Sequence, residues 1–530
     1  MGRKKVVTLY NGRYRGNLLT EEACDRLDMI RDAFDNGSYF EDLKKYLYDL
    51  DQTQIDDVLD ARQSLEEGER PHGELSESQT VSVAFGVTAE KWLCGDSVGL
   101  GKTAVGAGIY NYLKRNRDAN LRMMFLAPDE NIMKQNLRQL VRFTGEYFMP
   151  STGRRADAMG IVKYYEETGQ FPNVVGMHSL AKQAVFLELV ADYTRTTGER
   201  PYDVVIVDES ACLSNTKTQL YNKMVEVFGD ARYKICFNGT EFDTSLQEFY
   251  SQLNFLDPTL LPTKTNFQKE YCVLEYGHFS GYLQPSGKYK NAEEFRHRVG
   301  YRYFARTRRA LGADMRNCTA EIVPVKANDY QKNLLKSSSM PSLVLNCPWA
   351  IDMSIDPDYD TCPKLKSLWN ILHTKLGYND PTRPVPEQVL IYVNHKAAQQ
   401  GIADMLDGNA SYKILNGDTP SDDREEIVKG FSSGYYQILI TNVQKGLNFQ
   451  NCDNVIFFEF PSVGRAIQVE GRMTRSENIE NKHVFVLLYD KNETPAFKGI
   501  LSDRGKALDT FASTDYSMVL NLLLEQQSKG

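Results

Sequence analysis

The sequence predicts an α/β protein built on two parallel sheets, one in each half of the chain. Three observations carry this expectation. Short runs of β-branched and other apolar residues alternate with longer helical stretches in both halves. The runs lack polar alternation, as strands buried on both faces do. Several of them also end in residues that carry chemistry, where parallel α/β sheets bind their ligands.

In the first half the runs are Met123-Met124-Phe125-Leu126, Val174-Val175-Gly176-Met177, Val204-Val205-Ile206-Val207 and Ile235-Cys236-Phe237. The same texture returns at Val389 to Val393, Ile438-Leu439-Ile440, Val455-Ile456-Phe457-Phe458 and Val484 to Leu488. Residues 1–74 stand apart. Thr20-Glu21-Glu22 opens a helical pattern that Asn36-Gly37 ends, and Ser38-Tyr39-Phe40-Glu41-Asp42-Leu43 starts a second helix. A small, mostly helical, acidic accessory region is expected there, packed on the first sheet domain, with partner binding as the alternative role.

The stretch Asp96-Ser97-Val98-Gly99-Leu100-Gly101-Lys102-Thr103 is a glycine-rich turn ending in Gly-Lys-Thr. In such a loop, which here includes Gly99 and Gly101, backbone N–H groups face phosphates. The lysine reaches the β and γ oxygens, and the threonine hydroxyl ligates Mg²⁺. Ala104 to Tyr110 is small and apolar enough to form the buried helix that follows, whose N-terminal dipole adds to the anion site. The plain alternative for Gly-Lys-Thr alone is a surface loop. Downstream, Asp208-Glu209 closes the run Val204 to Val207. Asp208 can hold Mg²⁺ through its water shell, and Glu209 can polarise the water that attacks the γ-phosphate. In the C-terminal half, Arg472 and Arg475 are spaced to share one helix face. Guanidinium groups suit the charge of a transferring phosphoryl group, while a solvated basic face is the ordinary reading of such a pair.

The order of these pieces resembles superfamily 2 helicases and, within them, Snf2-like DNA translocases. The Asp96 to Thr103 loop resembles that family's Asp-x-x-Gly-Leu-Gly-Lys-Thr motif. Gln79 stands where the family reads adenine, Phe125-Leu126-Ala127-Pro128 is similar to motif Ia, and Asp208-Glu209-Ser210-Ala211 to motif II. Asn238-Gly239-Thr240-Glu241 and Leu246 to Pro258 resemble the Gly-Thr-Pro segment and the leucine- and asparagine-rich stretch that follows it. Ile414 to Gly417 with Arg424 and Phe431, then Leu439-Ile440-Thr441 with Gly446-Leu447-Asn448, look like parts of the second motor domain. Gln468, Gly471, Arg472 and Arg475 resemble motif VI. Four places depart from the pattern: Ser210-Ala211, Glu241, Val443-Gln444 and Glu477-Asn478. Several of these lie between the ATP and DNA sites in the family, so they bear on how hydrolysis is coupled to DNA movement.

The resemblance implies two RecA-like motor domains in tandem with helical insertions. The expected organisation is an accessory region at 1–74, a first ATP-binding domain at 75–260, a helical insertion and linker at 261–365, and a second RecA-like domain with a C-terminal helix at 366–530. ATP and Mg²⁺ are the implied cofactors. Lys102, Asp208, Glu209, Gln468, Arg472 and Arg475 are the implied catalytic set, Gln79, Gly99, Gly101, Lys102 and Thr103 hold the nucleotide, and Thr103 and Asp208 hold the metal. ATP on the first domain is expected to meet Arg472 and Arg475 from the second. The insertion carries Arg306, Arg308 and Arg309 among aromatic residues. With Thr441 these are the candidate nucleic-acid contacts, gripping duplex DNA through its phosphates, and a solvated basic helix face is the alternative.

Composition is ordinary for a globular enzyme: 530 residues, 42% hydrophobic and 25% charged. A formal net charge of −8 does not mark a nucleic-acid binder, so DNA contact must come from a local basic cleft. Nine cysteines without a Cys-x-x-Cys pair suit a reducing compartment. No secretion signal, lipidation signal or run of 18 or more apolar residues occurs in the sequence. The expected setting is therefore intracellular, in cytoplasm or nucleoid, or in host cytoplasm for a viral protein, with no membrane partner. Three activities are compatible with the sequence: an ATPase that moves along duplex DNA and remodels DNA or protein–DNA complexes, a strand-separating DNA or RNA helicase, and an ATP-gated DNA-binding switch.

Overall fold

The computed structural model describes residues 4–5, 19–20, 23–25, 27–28, 30, 75–239, 246–276, 282–306, 318–379, 386–443, 449, 452–473, 481–495 and 497. The chain divides into two compact units, with the boundary between Gly312 and Ala313. Near the N-terminus, Lys4–Lys5 (β1) pairs antiparallel with Leu19–Thr20 (β2). Cys24, Leu27 and Ile30 join the core of the first unit. The rest of the expected accessory region lies outside the described residues.

The first unit is a seven-stranded sheet in the order β11-β3-β8-β7-β4-β6-β5. Its strands are β3 (Lys91–Cys94), β4 (Met123–Ala127), β5 (Met149–Ser151), β6 (Val174–Met177), β7 (Val204–Asp208), β8 (Tyr233–Phe237) and β11 (Tyr303–Phe304). Every pairing in it is parallel. Crossover helices are therefore required, and they alternate with the strands: α1 (Glu77–Ala89), α2 (Lys102–Asn116), α3 (Glu130–Thr144), α4 (Arg155–Thr168), α5 (Ala184–Thr197), α6 (Gln219–Phe228) and α7 (Leu246–Leu256). Central strands β4 and β8 are buried at every residue, which explains the unbroken apolar sequence of β4 and the apolar run Ile235-Cys236-Phe237 of β8. Val105, Ile109 and Tyr110 of α2 pack with Phe125, Ile206 and Phe237 in one apolar cluster.

The second unit is a six-stranded parallel sheet in the order β12-β17-β16-β13-β15-β14. It comprises β12 (Thr319–Val325), β13 (Val389–Tyr392), β14 (Tyr412–Leu415), β15 (Ile438–Thr441), β16 (Asn454–Phe457) and β17 (His483–Tyr489). Its core holds Leu365, Leu368, Ile391, Ile402, Ile440, Ile456 and Leu487. All eight strand runs read from the sequence are found. The expected tandem RecA-like, parallel-sheet class is the fold observed.

The segment read as a helical insertion and linker is corrected. Helices are present in it, but so are the antiparallel pair β9 (Cys272–Tyr276) and β10 (Leu283–Tyr289) and one outer strand for each sheet, β11 and β12. β11 is two residues long and falls within a basic and aromatic stretch, so it carries no periodic signal. Tertiary packing defines it instead: Phe304 stacks on Phe85 with ring centroids 4.8 Å apart, and the Trp92 indole N–H donates to the Phe304 carbonyl.

Three arginines of that segment turn inward, whereas Arg296 is exposed. Arg298 pairs with Glu294, and Arg302 is buried beside Asp257 and donates to the Ala89 carbonyl. Arg306, expected to touch nucleic-acid phosphates, is fully buried. Its backbone N–H donates to Asp96 Oδ1 at 2.8 Å, and its Nε donates to Asp96 Oδ2 at 2.9 Å. Its remaining guanidinium nitrogens reach Ser78 Oγ and the Leu100 carbonyl. A charge satisfied this fully by internal partners cannot serve an external phosphate. Arg308 and Arg309 lie outside the described residues.

Removing one member of a buried ion pair leaves the other uncompensated. Arg306→Ala should therefore lower stability by about 3–5 kcal/mol, seen as an earlier urea or thermal midpoint for the full chain. An unchanged midpoint would show that Asp96 does not depend on this partner.

Candidate functional site

The candidate site lies at the C-terminal ends of four neighbouring strands of the first sheet, β3, β8, β7 and β4. The loop after β3 leads into α2, which begins at Lys102. Gly99 and Gly101 have φ of 93° and 76°, values that side-chain-bearing residues rarely adopt. A Cβ on Gly101 would also stand 2.3 Å from Gln79 Nε2. The positive φ of both residues thus favours glycine where the backbone must face phosphates. The Lys102 ammonium donates to the carbonyls of Asp96 at 2.8 Å and Ser97 at 3.3 Å, which holds it against the loop.

Gln79 sits in the first turn of α1. Its Oε1 accepts from the Ser76 N–H, completing a capping box, while its Nε2 donates to the Leu100 carbonyl at 3.1 Å. It therefore ties α1 to the phosphate loop.

Thr103 and Asp208 come from different elements and meet through a third residue, Asn136 of α3. The Thr103 hydroxyl donates to Asn136 Oδ1 at 3.0 Å, and Asn136 Nδ2 donates to Asp208 Oδ2 at 2.9 Å. Asn136 gives no signal in the sequence, since one asparagine in a polar helix matches no motif. The other Asp208 oxygen accepts from the Glu209 N–H at 3.0 Å, and His178 Nε2 lies 2.9 Å from the Asp208 carbonyl, to which it can only donate.

Burial, and after it the neighbouring Glu209 carboxylate, push the Asp208 carboxyl up to about 6, against the pull of the Asn136 amide. A cation at this place would reverse that balance. Glu209 itself has φ of 50°, a left-handed conformation for a residue with a side chain, and its Oε2 is buried without a protein hydrogen-bond partner. Strain and an unsatisfied oxygen at the end of a central strand are features of functional positions.

Ser210, one of the departures from the family pattern, has a defined partner. Its hydroxyl donates to Gln252 Oε1 at 2.6 Å, and Asn238 Nδ2 donates to the same oxygen at 2.9 Å. All three side chains are fully buried. Gln252 of α7 thereby joins the end of β7 to the end of β8. Next to it, a Cβ on Gly239 would lie 2.6 Å from Val98 Cγ2, so the turn after β8 packs directly on the phosphate loop. Thr240 and Glu241 lie outside the described residues.

In the second unit, Gln468 is buried on the helix Val463–Met473, which also carries Arg472. Arg475 and Gly446-Leu447-Asn448 lie outside the described residues. Thr441 is a correction. The residue is 1% exposed, and its hydroxyl donates to the Leu415 carbonyl and accepts from the Val443 N–H, so it terminates β15 internally and is not available to a nucleic acid.

Among the described residues no group of three or more His, Cys, Asp or Glu side chains is arranged to hold a metal ion, and no helix is long and apolar enough to cross a membrane. All nine cysteines are free thiols.

Taken together, the glycine-rich loop, its lysine and the paired carboxylates at the tip of β7 define an ATP-hydrolysing enzyme of the P-loop type. Residues 91–346 match the SNF2-related domain model, and residues 364–477 match the helicase conserved C-terminal domain model. The chain belongs to the Snf2-like helicases of superfamily 2. It is similar to the ATP-dependent helicase YqhH of Bacillus subtilis (strain 168), 20% identical over 449 residues, covering 76% of this chain and 75% of that one. It is also 24% identical over 201 residues to DEAD-box ATP-dependent RNA helicase 53 of Oryza sativa subsp. japonica, covering 35% of this chain and 33% of that one. Among solved structures, the Sulfolobus solfataricus SWI2/SNF2 ATPase core in complex with dsDNA aligns at 15% identity and a TM-score of 0.39, covering 88% of this chain and 98% of that one.

The Ser210–Gln252–Asn238 link makes a stability prediction. Gln252→Leu keeps the volume but removes the acceptor shared by two buried donors, each worth about 1–3 kcal/mol when left unsatisfied. The variant should melt earlier by circular dichroism while still binding ADP, and an unaltered melting curve would mean that the link contributes nothing to stability.

Proposed function

We propose that this protein couples ATP hydrolysis to translocation along duplex DNA, remodelling DNA or protein–DNA complexes inside the cell. The observation that carries the ATP part is the convergence of Lys102 and Thr103, after β3, with Asp208 and Glu209, at the end of β7, on the C-terminal side of one sheet. The family match supports the choice of track. Gln79 reads the adenine, Gly99 and Gly101 shape the loop, and Lys102 neutralises the β and γ phosphates. Glu209 orients the attacking water and takes up its proton, and Gln468, Arg472 and Arg475 supply the second unit's share of transition-state stabilisation.

The donor set fits Mg²⁺, since Thr103 and Asp208 offer only oxygen, the ligand type that hard cations take. When bound, Mg²⁺ would neutralise charge on the phosphates. These assignments extend the established helicase-family membership to a particular cofactor, track and set of roles.

One observation favours strand separation as a second reading. Tyr276 ends β9 and Tyr282 directly precedes β10, and the two are 73% and 79% exposed. Exposed aromatic rings can stack on unpaired bases.

Four variants test the chemistry. Lys102→Ala should lose both turnover and nucleotide affinity, because it removes a charge from the phosphates. Glu209→Gln should lose turnover while retaining bound ATP. Wild-type turnover in folded Glu209→Gln protein would remove that residue from its role. Arg472→Ala and Arg475→Ala should leave ADP affinity within about twofold while slowing turnover by on the order of 10³-fold or more.

The track is tested by measuring ATPase rates in parallel with duplex DNA, single-stranded DNA, branched DNA and RNA. Stimulation by duplex at least equal to that by single strands, with displacement of a DNA triplex and no opening of a forked duplex, is expected. Efficient fork opening with stimulation by single strands alone would favour the strand-separating reading.

A further inference from the structure

Asn136 occupies a place that the activity alone does not explain. It is 3% exposed on α3, and both ends of its amide are committed to the two residues proposed to hold the cation. The commitments are chemically directional. Because Asn136 Oδ1 can only accept, it draws the Thr103 hydroxyl hydrogen toward itself, which leaves the oxygen lone pairs pointing elsewhere. Because Nδ2 can only donate, it fixes Asp208 Oδ2 as an acceptor and favours the charged carboxylate. The Glu209 N–H holds the other oxygen of that carboxylate. One amide thus orients a hydroxyl at the start of α2 and a carboxylate at the end of β7.

We propose that Asn136 is a positioning residue that couples Thr103 to Asp208 so that the two oxygens meet a divalent cation together with the nucleotide. The proposal rests on the reading of Thr103 and Asp208 as the cation-binding pair. Neither backbone segment could fix these side chains by itself. The Thr103 hydroxyl rotates freely about its Cβ–Oγ1 bond, and a strand-end carboxylate can turn about its own χ torsions. A buried amide that satisfies both removes those freedoms before any ligand arrives, and supporting groups of this kind commonly tune metal affinity by 10–100-fold or so.

The test is equilibrium binding of a fluorescent ADP to the full chain, titrated with MgCl₂ and repeated in EDTA, for wild type, Asn136→Ala, Asn136→Leu and Asp208→Asn. The leucine variant fills the volume of the asparagine and covers the case in which the alanine variant does not fold, and thermal melts verify folding. Both Asn136 variants are expected to raise the Mg²⁺ concentration for half-maximal effect by on the order of tenfold, with ADP affinity in EDTA unchanged within about twofold. A purely structural role would weaken ADP binding equally with and without Mg²⁺, and that result would overturn the proposal. Unchanged Mg²⁺ dependence in the Asn136 variants together with a shift in Asp208→Asn would overturn it while sparing the reading of the site. Unchanged dependence in Asp208→Asn as well would remove the cation-binding reading itself.

Discussion

The phosphate loop of this protein depends on one buried ion pair, Asp96 with Arg306. Asp96 begins the loop, and Arg306, 210 positions further along the chain, follows the edge strand β11. The pair is shielded from solvent, and it is surrounded by hydrogen bonds. Ser82 donates to Asp96, Arg306 donates to Ser78 and to the Leu100 carbonyl, and the Ser97 N–H donates to the Arg306 carbonyl. Buried charges hold only when their remaining hydrogen-bonding capacity is met, and here it is met largely by the loop and its neighbours. The nucleotide-binding turn is therefore braced from the outer edge of the sheet as well as by its own glycines.

The same logic recurs closer to the chemistry. Asn136 joins α2 to β7, and Gln252 joins β7 to β8. Gln252 ties two strand ends together and Asn136 ties a helix start to a strand end, each through a side-chain amide. Buried polar links of this kind are specific because a misplaced partner leaves a desolvated group unsatisfied. They also account for Ser210, whose hydroxyl replaces the family's usual residue and is paired with a glutamine on α7.

The second unit is organised around a different buried charge. Lys364 is fully buried, donates to Asn346 Oδ1 and the Phe458 carbonyl, and pairs with Glu493. Its ammonium also faces the Phe458 and Tyr489 rings at 5.6 and 5.1 Å. This lysine draws the start of one helix, the end of β16 and the end of β17 to one point. Glu459, just beyond β16, accepts from the backbone N–H groups of Asn394 and His395 after β13 and from the His395 ring. Both units thus use internal charge to fix loops at the C-terminal ends of parallel strands.

By itself the sequence determined the α/β class, the eight apolar strands, and the ATP-site residues that announce themselves through a local motif. Gly99, Gly101, Lys102, Thr103, Asp208 and Glu209 are legible because their chemistry depends on neighbours in the chain. What only the tertiary structure decided are the partnerships between distant residues. Arg306 and Thr441 read as nucleic-acid contacts, yet both are consumed internally, because sequence shows that a residue is charged or polar but not which group it faces. Asn136 and Gln252 carry no periodic or motif signal, since a single amide on a helix is ordinary until distant element ends converge on it. The edge strand β11 was illegible for the same reason: two residues have no measurable period, and their conformation is set by the Phe85 ring and the loop they brace.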